Sequence, residues 1–248
     1  MKLNIQSACQ GGAIASVAGN IVDNKVAQFE FDFGAGEFFY LCTAEGKGRV
    51  KGQSSAEFAL EHLRDGFSMG DITAENQVDD MFAQCRYLNL EINGVGKHLE
   101  DIAGHGCELN GIFGVEANGY SLAAGGGRAY VYRDGTLSPM SDPTAPLGYG
   151  VEEDEATIWQ MGSELADGDI VLVVSKAVTE ALSDDELEDI LYLSNYPAEH
   201  ILCSAKDEGL DNDAPAAVVA AKVGGGDFRE IDPDVDYEDD DGKYDAWA

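Results

Sequence analysis

Three charged residues stand next to apolar runs, where strands begin or end. Glu45 follows FFYLCTA (38–44), Lys176 lies one serine beyond IVLVV (170–174), and Asp211, beside Asn212, precedes AAVVAAKV (216–223). By position alone such residues are as a rule solvated surface charges; converging carboxylates are also the hard oxygen ligands that divalent ions require, and an ammonium brings a positive charge of its own. Lys47, Arg49 and Lys51 form a basic loop directly after Glu45. It is a candidate for binding a phosphate or an acidic segment, and equally a solvated loop that balances local charge. Other chemistries lack their residues. His62, His98, His105 and His200 lie far apart with no Cys or carboxylate at ligand spacing, which argues against a zinc site. The segment from Asp232 looks like a calcium loop but places Tyr237 at the required glycine and Lys243 at the bidentate glutamate. No Ser-His-Asp order, P-loop or dinucleotide fingerprint occurs.

The elements that must position these residues follow from periodicity. AIASVAG, QFEFDF and EFFYLCTA, within residues 13 to 44, are predicted strands, broken by Gly34 and Gly36. A helix is predicted from Ser54 or Ser55 to near Gly66, with Phe58, Leu60 and Leu63 on one side, and a longer one from about Ala74 to Leu99. From Gly106 the pattern returns to strands: GIFGVEA, YSLAAGG, RAYVYRDGTLSPM with an Asp134-Gly135 hairpin turn, EATIWQM, and IVLVV after the Asp167-Gly168 turn. IVLVV reads as a strand buried on both faces. Ser183 with Glu186 forms a capping box, Pro197 opens the next helix, and AAVVAAKV is a last strand ending at Gly224.

The chain has 248 residues with 44% hydrophobic content, enough for one large domain with a substantial core. Its 47 acidic and 15 basic residues give a net charge of −32, which repels nucleic acid and anionic lipid and excludes both as default partners. The five cysteines are scattered and odd in number, a reduced intracellular pattern. With no signal peptide and no apolar run long enough to span a membrane, a soluble cytoplasmic protein is expected. Residues 1–224 are expected to form the domain and 225–248 an acidic disordered tail, since residues 227 to 248 hold ten Asp or Glu against Arg229 and Lys243.

Five segments in order, GNIVDNKVAQF from Gly19, AEGKGR from Ala44, AGGGRAYVY from Ala124, DIVLVVSKA from Asp169 and GLDNDAPAAVV from Gly209, resemble the signatures of the metal-dependent (PPM, type 2C) protein serine/threonine phosphatases. The resemblance covers nearly all of residues 10 to 224. It implies an α+β fold, a four-layer α/β/β/α sandwich of two mainly antiparallel sheets flanked by helices. It also implies an activity, hydrolysis of phosphoserine and phosphothreonine by a pair of Mn²⁺ or Mg²⁺ ions held by several carboxylates.

Matched residue by residue, the resemblance shows a degenerate centre. The phosphate-binding arginine falls on Val22, and the Asn-Glu-Asp that follows on Lys25, Val26 and Ala27. The bridging aspartate falls on Glu45, with Gly46 kept to offer its carbonyl. A third metal aspartate falls on Lys176, and only the aspartate of the Asp-Asn pair survives, as Asp211 with Asn212. Gly126 and Gly127 replace an Asp-Ser pair before the structural Arg128-Ala129-Tyr130. Pro146-Leu147-Gly148 follows so soon after Asp142-Pro143-Thr144 that the substrate-receiving flap of bacterial members is missing.

One carboxylate of the original type and one longer by a methylene cannot hold two divalent ions. The resemblance therefore implies a pseudophosphatase with a binding or regulatory role, no resident metal, and as partner a protein or a phosphorylated segment held without turnover. Lys176 is expected to replace the metal charge within about 4 Å of Glu45 or Asp211, as a partly buried pair whose loss costs roughly 3 kcal/mol. Two rivals remain. One is an active Mn- or Mg-dependent phosphatase that recruits Asp23, Asp32 or Asp213; the other is a structural or assembly protein built on the same sandwich.

Overall fold

The structure, a computed structural model, describes residues 1–17, 20–23, 26–32, 38–50, 53–68, 77–97, 106–115, 117–148 and 162–229. In chain order the strands are β1 (Lys2–Gln10), β2 (Ile14–Val17), β3 (Asn20–Asp23), β4 (Ala27–Asp32), β5 (Phe38–Lys47), β6 (Arg49–Val50) and β7 (Gln53–Ser54). After the helices α1 (Ser55–Ser68) and α2 (Gln77–Lys97) come β8 (Gly106–Val115), β9 (Asn118–Ala124), β10 (Arg128–Arg133), β11 (Thr136–Pro139), β12 (Leu147–Gly148), β13 (Gly162–Glu164) and β14 (Ile170–Val174). Helices α3 (Lys176–Ala181), α4 (Asp184–Leu193) and α5 (Pro197–Asp207) precede the last strand, β15 (Ala216–Val223).

One sheet runs β11-β10-β14-β15-β1-β4 and the other β13-β9-β8-β5-β2-β3, with β12 added beside β8; β6 and β7 form a separate ribbon. Neighbouring strands are antiparallel, as in β14 with β15 and β5 with β8. Alternation of side chains sends Leu3, Ile5, Val131, Val173 and Val219 from one sheet, and Val17, Leu41 and Ile112 from the other, into the core between them. Outside the second sheet, Tyr40, Leu109 and Phe113 pack with Leu60 and Leu63 of α1 and Leu88 and Ile92 of α2. Outside the first, Tyr130, Leu172 and Val218 pack with Val178, Leu187, Leu191 and Ile201 of α3, α4 and α5. This is the expected α/β/β/α sandwich.

Local chemistry sets the ends. Ser54 Oγ accepts the Glu57 N–H to open α1, and Ser183 and Glu186 form the predicted capping box of α4. Asp134 and Gly135 both have positive φ, 51° and 81°, as a two-residue hairpin turn requires. β14 and β15 are buried along their whole length.

Two features depart from the reading of the sequence. β1, left unassigned there, is an interior strand between β15 and β4. Packing also continues past Gly224: Asn4 Nδ2 donates to the Gly226 carbonyl at 2.7 Å, Phe228 is buried, and the Arg229 N–H donates to Asn195 Oδ1 at 3.0 Å. Residues 226, 228 and 229 thus pack on the sandwich, and residues 230–248 lie outside the described residues, as do EATIWQM, His98 and His105.

Candidate functional site

Glu45 faces Glu108 across β5 and β8 in strict register, and one rung deeper Thr43 faces Asn110. Leu41 and Ile112, the next rung, belong to the core between the sheets. The alternation therefore turns these four polar residues to that same inner side, at the end of the sandwich where β14 passes into α3. Glu108 Oε2 accepts the Gly126 N–H at 3.0 Å. Lys176, first residue of α3, brings its ammonium to 3.9 Å from Glu108 Oε1 and 3.8 Å from Glu180 Oε1.

Glycines let these groups approach. A Cβ on Gly126 would lie 2.7 Å from Lys176 Cγ, and one on Gly127 would lie 2.3 Å from Asn110 Nδ2 and 2.6 Å from the Val174 carbonyl oxygen. The glycines at these positions are therefore the space through which the lysine stem and the Asn110 amide pass. Gly46 serves in the same way, since a Cβ there would meet Ser55 Oγ at 2.3 Å and the Ala56 nitrogen at 2.4 Å, where α1 begins.

Burial, reinforced by the Glu108 carboxylate, pushes the Glu45 carboxyl up to about 7, against a smaller opposing pull from Lys176. Burial also raises Glu108, while the Gly126 N–H and the Lys176 ammonium oppose the rise. Glu45 Oε2 is buried without a hydrogen-bond partner among the described residues, as are Thr43 Oγ1 and Asn110 Oδ1. A partnerless carboxylate oxygen beside a second carboxylate is stabilised by a proton, which is why burial and the neighbouring Glu108 raise Glu45.

The predicted site residues divide. Glu45, Gly46 and Lys176 do gather at one end of the sandwich, but the partners of Lys176 are Glu108 and Glu180, not Glu45 or Asp211. The lysine side chain is 44% exposed, so this is a surface-type pair, worth about 1 kcal/mol or less rather than the 3 expected of a buried one. Asp211 and Asn212 are exposed, and Asp211 Oδ1 accepts the N–H of Asp213 in its own turn. That turn is fastened to β1 through Gln10 Nε2, which donates to the Asp211 and Ala214 carbonyls. Val26 is exposed, Ala27 opens β4, and Val22 lies in β3 opposite Ala15.

Of the recruitable aspartates, Asp32 pairs with Lys2, at the opposite end of β1 from Gln10; Asp213 is exposed in its turn, and Asp23 ends β3 opposite Ile14. Lys47 ends β5 and Arg49 opens β6; Lys51, Lys25 and the side chains of the basic loop lie outside the described residues.

Glu108 is the functional candidate that the sequence reading missed. Its signal was there: in GCELNGIFGV, Glu108 and Asn110 are polar at alternate positions of an otherwise apolar strand, the inward positions by the period of two.

Comparison with protein-family models gives no match, and no curated protein matches. Solved structures do. The S. agalactiae serine/threonine phosphatase is 15% identical with a TM-score of 0.71, over 89% of this chain and 99% of that one. PppA, a regulatory component of T6SS in Pseudomonas aeruginosa, is 14% identical with a TM-score of 0.66, over 89% and 97%. The catalytic domain of PstP, a serine/threonine phosphatase solved with two manganese ions, is 17% identical with a TM-score of 0.61, over 89% and 98%. The chain has the fold of the type 2C serine/threonine phosphatases.

The residues at this end do not fit a two-ion centre. Two divalent cations need several converging carboxylates. Here the Lys176 ammonium stands among the carboxylates, the Asp211 carboxylate serves its own turn, and beside Glu45 and Glu108 the third carboxylate, Glu180, is exposed and paired with Lys176. Among the described residues, no three His, Cys, Asp or Glu side chains are grouped to hold a metal.

Proposed function

We propose that this chain is a pseudophosphatase, a type 2C fold kept for binding or regulation without phosphate-ester hydrolysis. The observation that carries this reading is the Lys176 ammonium set against Glu108 and Glu180 at the strand ends. It supplies one fixed positive charge where the resemblance implies metal, and Glu45 meets the remaining need with a proton. With Glu108 and Glu180 set against a single lysine and Glu45 protonated, this end offers a phosphoryl dianion no surplus positive charge, which favours a protein partner over a phosphorylated segment. The setting proposed is the cytoplasm: all five cysteines are free thiols, and among the described residues no helix is long and apolar enough to cross a membrane.

The test is turnover. Purified protein with Mn²⁺ or Mg²⁺ is expected to hydrolyse neither p-nitrophenyl phosphate nor phosphopeptides above a blank. Metal-dependent hydrolysis abolished by Asp211→Ala or Glu45→Ala would overturn the reading and establish an active enzyme with a rearranged site.

A further inference from the structure

Away from this site, three large apolar side chains gather on one turn. Tyr192 and Leu193 end α4 and Tyr196 caps α5, and they are 65%, 59% and 57% exposed. The turn is held, not loose. Ser194 is buried, its N–H donates to the Ile190 carbonyl, and its hydroxyl accepts the Tyr196 N–H at 2.9 Å. Asn195 is pinned twice: its carbonyl accepts Gln6 Nε2 at 2.7 Å and its side chain accepts the Arg229 N–H. Rigid aromatic groups with a polar tip, presented without ordering cost, are the commonest anchors of protein interfaces.

Charge says what fits there. Exposed Asp185 and Asp189 precede Tyr192 and Leu193 at helical spacing, so an acidic stripe runs into the apolar patch along one face of α4. Glu199 stands in the first turn of α5. The last turn of α4 has no basic residue, which leaves the negative end of its dipole uncompensated at the patch. A second copy would set stripe against stripe in a chain of net charge −32, and anionic membranes and nucleic acids are repelled likewise. We propose that the α4–α5 turn is a docking surface for a protein segment that places apolar side chains on Tyr192, Leu193 and Tyr196 and lysines or arginines along Asp185 and Asp189. This is independent of whether the Glu45 end is catalytic.

The probe is a labelled amphipathic peptide of leucine and lysine, compared with an oligolysine of equal charge. The full chain is expected to bind the amphipathic peptide about tenfold more tightly than the oligolysine, and Tyr192→Ser/Leu193→Ser/Tyr196→Ser to abolish that advantage. Because the three side chains are exposed, the melting temperature of the triple variant should match the parent, and hydrogen exchange in the complex should slow at residues 189–197. Equal binding of the two peptides, undiminished binding by the triple variant, or protection elsewhere would overturn the proposal. So would concentration-dependent self-association in sedimentation that the triple variant abolishes, since a second copy would then own the face.

Discussion

Glu45 is placed to titrate near neutrality because burial and Glu108 both disfavour its charge, and this has a measurable sign. Its carboxyl is raised from an ordinary 4.5 to about 7, so between these values the folded chain keeps a proton that the unfolded chain has released. The stability this confers is complete below pH 4.5 and is lost as pH rises through 7, to an extent of up to about 3 kcal/mol. Glu45→Gln should remove that slope, so denaturant unfolding of the two proteins across pH 4.5 to 8 should give a difference that falls between pH 4.5 and about 7 and levels off above. Lys176→Met should shift the curve to higher pH, because the ammonium opposes the rise at Glu45. A flat difference would mean that the carboxyl is solvated. The resemblance singled out Glu45 and Lys176, but not which carboxylate the lysine meets. That depended on the register of β5 with β8, a pairing of residues 63 positions apart that no local pattern encodes.

At the scale of elements, the inter-strand fit at the site rests on missing side chains. Gly127→Ala would drive a methyl group into Asn110 Nδ2 and the Val174 carbonyl, backbone of a fully buried strand that cannot move aside. Overpacking of this kind costs about 1–3 kcal/mol, so thermal unfolding should shift down by several degrees. At Gly162 an added Cβ meets nothing closer than Tyr120 Cε1 at 3.4 Å, so Gly162→Ala should be nearly silent in the same scan. Equal shifts for the two would refute the packing account. Strong local signals made α4, the 134–135 turn and β14 readable. β1 was not: the alternation of Leu3, Asn4, Ile5 and Gln6 lasts only four residues before polar Ser7 turns inward and apolar Ala8 outward, which breaks the strand pattern. Gln6 and Gln10 are polar there because each reaches a loop carbonyl, of Asn195 and of Asp211 and Ala214, a tertiary reason invisible to propensity.

For the whole molecule, periodicity supplied most strands and helices and the resemblance their layering, while the strand order, with β1 against β15 joining the two ends of the chain, was in neither. Composition carries one property that neither the fold nor the site explains, a net charge of −32. Like charges at this density destabilise the compact state through repulsion that acts over the Debye length. That length is about 30 Å at 0.01 M salt and about 8 Å at 0.15 M. Raising sodium chloride through this range should therefore raise the melting temperature. The chain shortened to residues 1–229 loses nine acidic residues and one lysine, and should gain less from the same salt. The opposing contribution is from close ion pairs, above all Arg133 with the buried Asp169, whose carboxylate also accepts the Ala166 N–H. Salt weakens such a pair less than exposed ones because the carboxylate is shielded from solvent. A melting temperature that falls with added salt in both chains would mean that local pairs, rather than diffuse repulsion, govern the stability of this acidic sandwich.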